Sequence, residues 1–498
     1  MSSSKAAEPW SYGNFQPARR LVLGGLGPSG LAACFAVVLV AFVVLVAGGL
    51  LPAVVVLTIG AVVIGPVAWQ IGGYSAADRT LRWLVFGKAA RRGHTRYRSG
   101  VISPMGGTHR PPGIGWSSRV WNVETGRAGW DAVGIVLLPG PPRYFAVTLR
   151  CSPPGTTLVD PDTVHTWISQ HGAWLENLGK EPDLAQAQVT VETAPDLGLD
   201  LARAVAANRH PKAPALADAV MDEVVATYPT AAARAETRVT LVFRAPTPTK
   251  PRTGGPARKV SDKEMCVRIA SRLPQLAEQL RHVGSGVVKP MSAGELAAVC
   301  RVAYDPASAA DVAAAGRDAV VWANCGPVAA NEARDYYEHD ASVSVTWGTA
   351  EVPRAQLHDT ALTHLAAPDA TLRRKRVTLL LRPLSPAQTA RLVDADVKDA
   401  RFAASRKARP TARDIRRVEA TTATAQEEAA GATLVCWSIL YTATVGDVDD
   451  LDAAEATIRD LAAVTRLTLR PMHYSQAAAF AVGLPIGIVP SQMAQVRW

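Results

Sequence analysis

No Asp, Glu, Lys or Arg falls between Arg20 and Asp78. Within that stretch residues 29–69 are almost wholly apolar. A helix rises about 1.5 Å per residue and needs roughly 20 residues to cross a hydrocarbon core of ~30 Å. The segment therefore predicts two transmembrane helices, 29–49 and 50–69. Gly48, Gly49 and Pro52 mark a tight turn between them. Neither run has a polar face, which argues against a hairpin buried in a globular core. A cleaved signal peptide fits less well, because the first run is long and a second follows it directly.

Basic residues flank the hairpin on both sides. Lys5, Arg19 and Arg20 precede it, and Arg79, Arg82, Lys88, Arg91, Arg92, Arg96 and Arg98 follow it. The positive-inside rule then predicts a multi-pass protein of the inner (cell) membrane with both termini cytoplasmic. Arg91, Arg92 and Arg96 become candidate contacts for anionic lipid, and the bilayer a partner. The formal charge of +10 over 498 residues permits nucleic-acid binding without requiring it. The six cysteines include no C-x-x-C pair, so neither a zinc framework nor a disulfide scaffold is indicated.

Beyond residue 70 the composition is that of a folded protein. A basic connector, 70–115, leads to alternating strand and helix patterns. Strands are predicted at 134–138, 144–151, 188–192 and 237–243, with helices at 161–178 and 213–228. In the second helix Leu216, Val220, Met221, Val224 and Val225 are expected to face inward. Residues 245–261 are rich in Pro, Thr, Gly and basic residues and predict a linker. The pattern then resumes. Helices are expected at 262–282, where Pro274 should kink or interrupt the run, and at 292–304, where Ser292 and Glu295 have capping-box spacing. Further helices are expected at 385–405, 412–429 and 449–465, and strands at 319–324, 342–347, 376–381, 434–445 and 467–471. The expected fold class is thus a membrane protein. A transmembrane helical hairpin (29–69), after a tail (1–28), carries two layered, mixed α+β cytoplasmic domains, 116–244 and 262–498.

Few residues carry chemistry. Neither Gly87-Lys88 nor Gly179-Lys180 is followed by Ser or Thr, so no phosphate-binding loop is present. There is no G-x-S-x-G elbow and no H-E-x-x-H pair. Asp447, Asp449, Asp450 and Asp452 lack the Gly and distal Glu of a calcium loop and suit a helix N-terminus. The cluster 332–340 (EARDYYEHD) holds carboxylates, a His and two Tyr; it could support acid–base chemistry, with Glu338 and His339 as candidates, but reads more readily as a solvated surface. Arg373, Arg374, Lys375 and Arg376, with Arg406 and Lys407, are candidate lipid or nucleic-acid contacts, although no aromatic platform is interleaved with them. No catalytic residue, cofactor or metal is expected.

Two stretches carry a resemblance. The hairpin followed by residues 130–151 (WDAVGIVLLPGPPRYFAVTLRC) and 167–178 resembles the EccE-type subunit of actinobacterial type VII secretion, over roughly residues 10–245. Residues 466–487 (RLTLRPMHYSQAAAFAVGLPIG) resemble the non-catalytic N-terminal region of VirB-type ATPases of conjugative type IV secretion. Gln476, Phe480, Leu484, Pro485 and Gly487 match that pattern and are candidate partner-docking residues; no motor domain follows within this sequence, so energy-transducing residues are not carried over. The resemblances imply a non-catalytic, membrane-anchored structural subunit of a secretion or transfer apparatus. It would belong to a hetero-oligomeric complex with other subunits and a separate ATPase. The alternatives are a membrane-tethered, transferase-like enzyme acting on a lipid-linked substrate, and a DNA-handling subunit of a conjugation system.

Overall fold

The computed structural model describes residues 11–12, 15, 28–68, 70–71, 74–246 and 260–490. Within these, 102, 104–107, 156–158, 228–232, 317, 352, 354–356, 359–360, 370, 373, 407–408 and 410 are not described.

Helices Pro28–Gly48 and Leu50–Ala68 form where the apolar runs predict them and turn at Gly49, whose φ of +85° suits a residue without Cβ. They pack on each other, with Gly60 against Val37 and with Ala41 and Ala53 buried, while Phe35, Phe42, Val46 and Leu51 stand exposed. The described side chains of the pair run only from 34 to 61. Among the described residues no helix is long and apolar enough to cross a membrane. This corrects the transmembrane assignment of 29–69, and with it the multi-pass inner-membrane location with cytoplasmic termini.

The body is built on one sheet of thirteen strands among the described residues. In chain order these are β1 (Arg96–Arg98), β2 (Arg119–Glu124), β3 (Ala132–Leu138), β4 (Tyr144–Ser152), β5 (Leu184–Pro195), β6 (Ala233–Arg244) and β7 (Val287–Pro290). There follow β8 (Ala329–Glu332), β9 (Tyr337–His339), β10 (Ser342–Glu351), β11 (Arg374–Pro383), β12 (Val435–Val445) and β13 (Thr468–Pro471). The spatial order is β1-β8-β9-β10-β12-β11-β5-β6-β4-β3-β2. β7 pairs the end of β4, and β13 the end of β10. The pairings are antiparallel throughout.

The long central strands alternate as a sheet covered on both sides requires. On β4, Phe145, Val147, Leu149 and Cys151 face one core, with helices Pro161–Lys180 and Asp262–Leu280 over it. Tyr144 and Ala146 face the other core, with helices Ala293–Tyr304 and Gln476–Val482 over it. A third cluster, around Val345, Tyr441 and Ile458, lies under helix Leu451–Val464. Local signals hold at several ends. Asp160 caps helix Pro161–Lys180, and Ser292 with Glu295 forms a capping box. Pro274 is accommodated inside a continuous helix.

Two expectations are corrected here. β5 lies before the 245–261 segment and β11 after it, yet they are hydrogen-bonded neighbours, with Glu192 opposite Arg376 and Gln188 opposite Leu380. In place of two layered domains there is one antiparallel sheet shared by both halves, with helices on both faces. Residues 247–259 of the expected 245–261 linker lie outside the described residues, and a linker composition says nothing about whether the flanking strands pair. In addition, 319–324 is not a strand: Trp322–Asn324 is a single 3₁₀ turn.

Candidate functional site

The residues with the most distinctive electrostatics project from one face of β4, β5, β6 and β11. Side chains two apart in a strand share a face, and neighbouring strands set them in rows. Arg150 lies opposite Arg238, and the next row places Glu236 opposite Glu192 and Glu192 opposite Arg376. Like charges directly opposed would repel. The diagonals compensate. Arg238 bonds Glu192 through Nη2 and reaches Glu236 at 3.0 Å through Nη1. Arg374 reaches Glu192 at 2.8 Å and Arg376 reaches the same Oε1 at 3.4 Å. Arg234 reaches Glu236 at 2.8 Å. At the border Arg150 holds Glu295 at 2.6 Å, and Glu295 also caps helix Ala293–Tyr304 by accepting from Ser292 N–H.

Glu192, Arg238 and Arg376 are almost fully buried. Burial would push the Glu192 carboxyl up; Arg376, Arg238 and Arg374 outweigh it and hold the carboxyl far below the usual carboxylate range. Burial also pulls the Arg376 guanidinium down, against the raising effect of Glu192. Arg238 goes the other way, because Glu192 and Glu236 together overcome its desolvation. The donors nonetheless exceed the acceptors. Nε and Nη1 of Arg376, and Nε of Arg150, are buried without a hydrogen-bond partner among the described residues.

A cavity of about 150 Å³ opens beside this cluster. Arg150, Arg238 and Arg374 form part of its floor, and Leu199, Val299, Val302 and Val312 part of its walls. The walls come from helices Leu199–Asn208, Ala293–Tyr304 and Ala309–Ala315.

The residues singled out in the sequence lie elsewhere or are consumed in packing. Gln476 is buried and grips the backbone of β10: its Oε1 accepts from Thr346 N–H at 2.8 Å and its Nε2 donates to Thr346 C=O at 3.3 Å. Phe480 is buried among Tyr304, Tyr337 and His339, with ring centroids 4.8–5.5 Å apart, and Arg376 lies 5.2 Å from its centroid. Leu484, Pro485 and Gly487 are buried on the sheet, where Gln188 donates to Leu484 C=O and Gln186 to Ile488 C=O. Gly487 has φ +83°, and a Cβ there would come within 2.2 Å of Ala146 Cβ. These five residues therefore hold the chain's own C-terminal segment on the sheet.

Of the basic candidates, Arg91, Arg92, Arg96 and Arg406 are exposed, Arg406 stacking on Phe402. Arg374 is mostly buried against Glu192, and Arg376 is buried there. Lys375 is buried on the opposite face, over the Tyr441 ring. These three do not form a surface for lipid or nucleic acid. Arg373 and Lys407 lie outside the described residues.

The 332–340 cluster is dispersed. Glu332 accepts from Ala477 N–H at 3.0 Å, and Glu338 accepts from Asn331 Nδ2 at 3.0 Å. Asp335 lies 2.6 Å from His473, and Asp340 accepts from Val328 and Ala329 N–H. His339 is fully buried, not solvated. Its Nδ1 is 2.6 Å from Tyr304 C=O, which can only accept, so Nδ1 carries the proton and Nε2 accepts from Ser344 Oγ at 2.7 Å. Ser344 in turn meets Thr444 at 2.8 Å. A Ser–His pair oriented by a backbone carbonyl, with no carboxylate behind it and bound into a core, is a structural polar chain rather than a nucleophile–base pair.

That chain has a pH signature. Burial holds the His339 imidazole down to about 4, against an ordinary value near 6.5. The unfolded state therefore binds the extra proton first. The His339 contribution is complete above about pH 6.5 and is lost as pH falls toward 4, by up to roughly 3 kcal/mol. His339→Asn should flatten the difference in denaturation midpoint between pH 7 and pH 4.5 relative to the parent chain. An unchanged difference would remove His339 as its source.

No family model matches the sequence, and no curated protein matches it.

The Arg–Glu cluster was missed in the sequence although a signal was there. Arg234, Glu236 and Arg238 alternate with Ala235 and Thr237 and lead into Val239 and Leu241, and Gln188, Thr190 and Glu192 alternate with Val189 and Val191. Period-two alternation of charged residues on a central strand marks a polar inner face once both sides of the sheet are covered.

Proposed function

We propose that this chain is a non-catalytic structural subunit of an export or conjugative-transfer apparatus, EccE-like or type IV-like, that docks partner subunits including a separate ATPase. One observation carries this reading. Helix Ala215–Thr227 has no buried residue. Leu216, Val220, Met221 and Val224, expected inward, are 77%, 47%, 39% and 36% exposed. Spaced at i, i+4, i+5 and i+8, they make one apolar face, the form that a helix-in-groove contact uses. Arg209 pins the helix to its neighbour through Asp218 and Asp222 at 3.1 and 2.5 Å, on the polar side. Large apolar side chains gain about 1.5–3 kcal/mol each on full burial, so even partial covering by a partner would be strongly favourable. The resemblance to secretion-apparatus subunits supports the kind of partner.

A photo-crosslinking residue at Val220, in the full chain expressed in its native cell, should capture a subunit of an export or transfer apparatus. The pair Leu216→Glu and Val220→Glu should abolish that capture and alter stability by only about 0.5 kcal/mol or less per site, because the sites are exposed. Capture of no such subunit, or capture indifferent to the charged pair, would contradict the assignment.

A further inference from the structure

We propose that β2, an edge of the large sheet, takes up an extended strand of a partner protein in which Lys or Arg alternates with apolar residues. β2 ends the sheet beyond β3. Gly134 N–H turns away from β2 and donates to Met291 C=O at 2.8 Å. Gly134 and the residue opposite it, Asn122, are therefore a non-bonded pair, and β2 bonds β3 through Arg119, Trp121 and Val123. The N–H and C=O of Val120, Asn122 and Glu124 point outward, and among the described residues none of them has a partner. Such a row is a template for a further strand. The opposite edge, β1, is only three residues long.

The chemistry beside the edge selects the strand. Val120, Asn122 and Glu124 share one face of β2, and Val120 packs there on the core under helix Ala293–Tyr304. A recess of about 540 Å³ borders that face, lined by Val120, Asn122, Val320, Trp322 and Asp318 among others; Asp318 is the one charged residue among those that line it. Glu124 and Asp318 are exposed, and neither is paired with a cation among the described residues. Lys or Arg suits this setting, its stem on apolar surface and its head at a carboxylate. A strand bonded to Val120, Asn122 and Glu124 sends alternate side chains to this face. Those between fall beside exposed Trp121 and half-buried Val123, where apolar residues gain contact. A second copy fits less well. Paired antiparallel about Asn122, so that every outward group is used, it sets its own Glu124 opposite Val120, on the face that already carries Asp318. The chain as a whole carries +10, so a cationic strand is held by this local patch against the general field. The edge is separate from helix Ala215–Thr227, and its test succeeds or fails independently of that surface.

The test is fluorescence anisotropy of the full chain with a labelled heptapeptide of alternating Lys and Val. It should bind with a Kd of about 100 μM or tighter. The counterpart of alternating Glu and Val should bind at least about tenfold more weakly. N-methylation of the Lys amides removes the donors that face β2 and should abolish binding, whereas N-methylation of the Val amides should leave it within about twofold. Val120→Pro removes an outward N–H that no bond of the sheet uses, and should weaken binding about tenfold. Asp318→Asn, at an exposed site, should weaken it about threefold. Equal affinity for the Glu peptide would overturn the proposal. So would the same loss whichever amides are methylated, binding undiminished in Val120→Pro, or no saturable binding of the Lys peptide. A dimer in sedimentation that Val120→Pro dissolves would give the edge to a second copy and overturn it as well.

Discussion

Glu192→Ala is expected to destabilise the protein by about 3–5 kcal/mol, the range for removing one partner of a buried ion network. The reason is the charge left behind. Glu192 is the shared acceptor of Arg238, Arg374 and Arg376, and it is almost fully buried. Its removal leaves those guanidiniums facing one another, with Glu236 to serve Arg238 and, among the described residues, no other carboxylate paired with Arg374 or Arg376. Glu192→Gln keeps the shape and one acceptor oxygen, and should recover part of the loss. Chemical denaturation of the three proteins at pH 7 checks this. A loss under about 1 kcal/mol for the alanine variant would mean that the cluster is solvated. The net worth of the intact network is a separate matter, since desolvation offsets much of the Coulomb attraction in any buried ion pair.

The second large effect belongs to Phe480. Phe480→Ala should cost about 3–5 kcal/mol, the usual range for truncating a buried aromatic side chain. Its ring is in contact distance of Tyr304, Tyr337 and His339 and lies against the Arg376 guanidinium, so the loss combines transferred area, a cavity and a cation–π contact. A distinctive companion effect is expected. The ring caps the otherwise unsatisfied side of Arg376, and the hole would admit water to it. Phe480→Leu should therefore cost less, because it keeps most of the packing and excludes that water. Denaturation midpoints for both variants, with amide exchange over 476–490, distinguish a loosened C-terminal segment from a general loss. An alanine variant as stable as the parent would contradict the packing described here.

Much of the secondary structure was legible because it is local. The runs at 144–151 and 237–243 alternate with the two-residue period of strands covered on both faces, and Ser292 with Glu295 announces a helix start by itself. The pairing of β5 with β11 was not legible. Their contacts join residues about 190 positions apart, such as Gln188 and Leu380, and nothing in either strand's own pattern names its partner. Helix Ala215–Thr227 shows a different limit. The stripe of Leu216, Val220, Met221 and Val224 reveals an apolar face, but periodicity cannot say whether the same chain covers it. The run Arg374-Lys375-Arg376 misled for the converse reason. In a central strand, residues that look like a basic surface patch are split between two buried faces, Arg374 and Arg376 on one and Lys375 on the other. Likewise Gln476, Phe480 and Leu484 form a recognisable string, and the structure uses it to close the chain's own core.

The fold, the charged cluster and the cavity all depend on the strands before 245 and after 261 forming one sheet. Hydrogen exchange of the full chain under native conditions measures this directly. The amides of β5 (Leu184–Pro195) and β11 (Arg374–Pro383) should share the slowest exchange and open together in one cooperative event. Exchange of β11 at a rate and denaturant dependence distinct from β5, with each half opening alone, would contradict a single sheet.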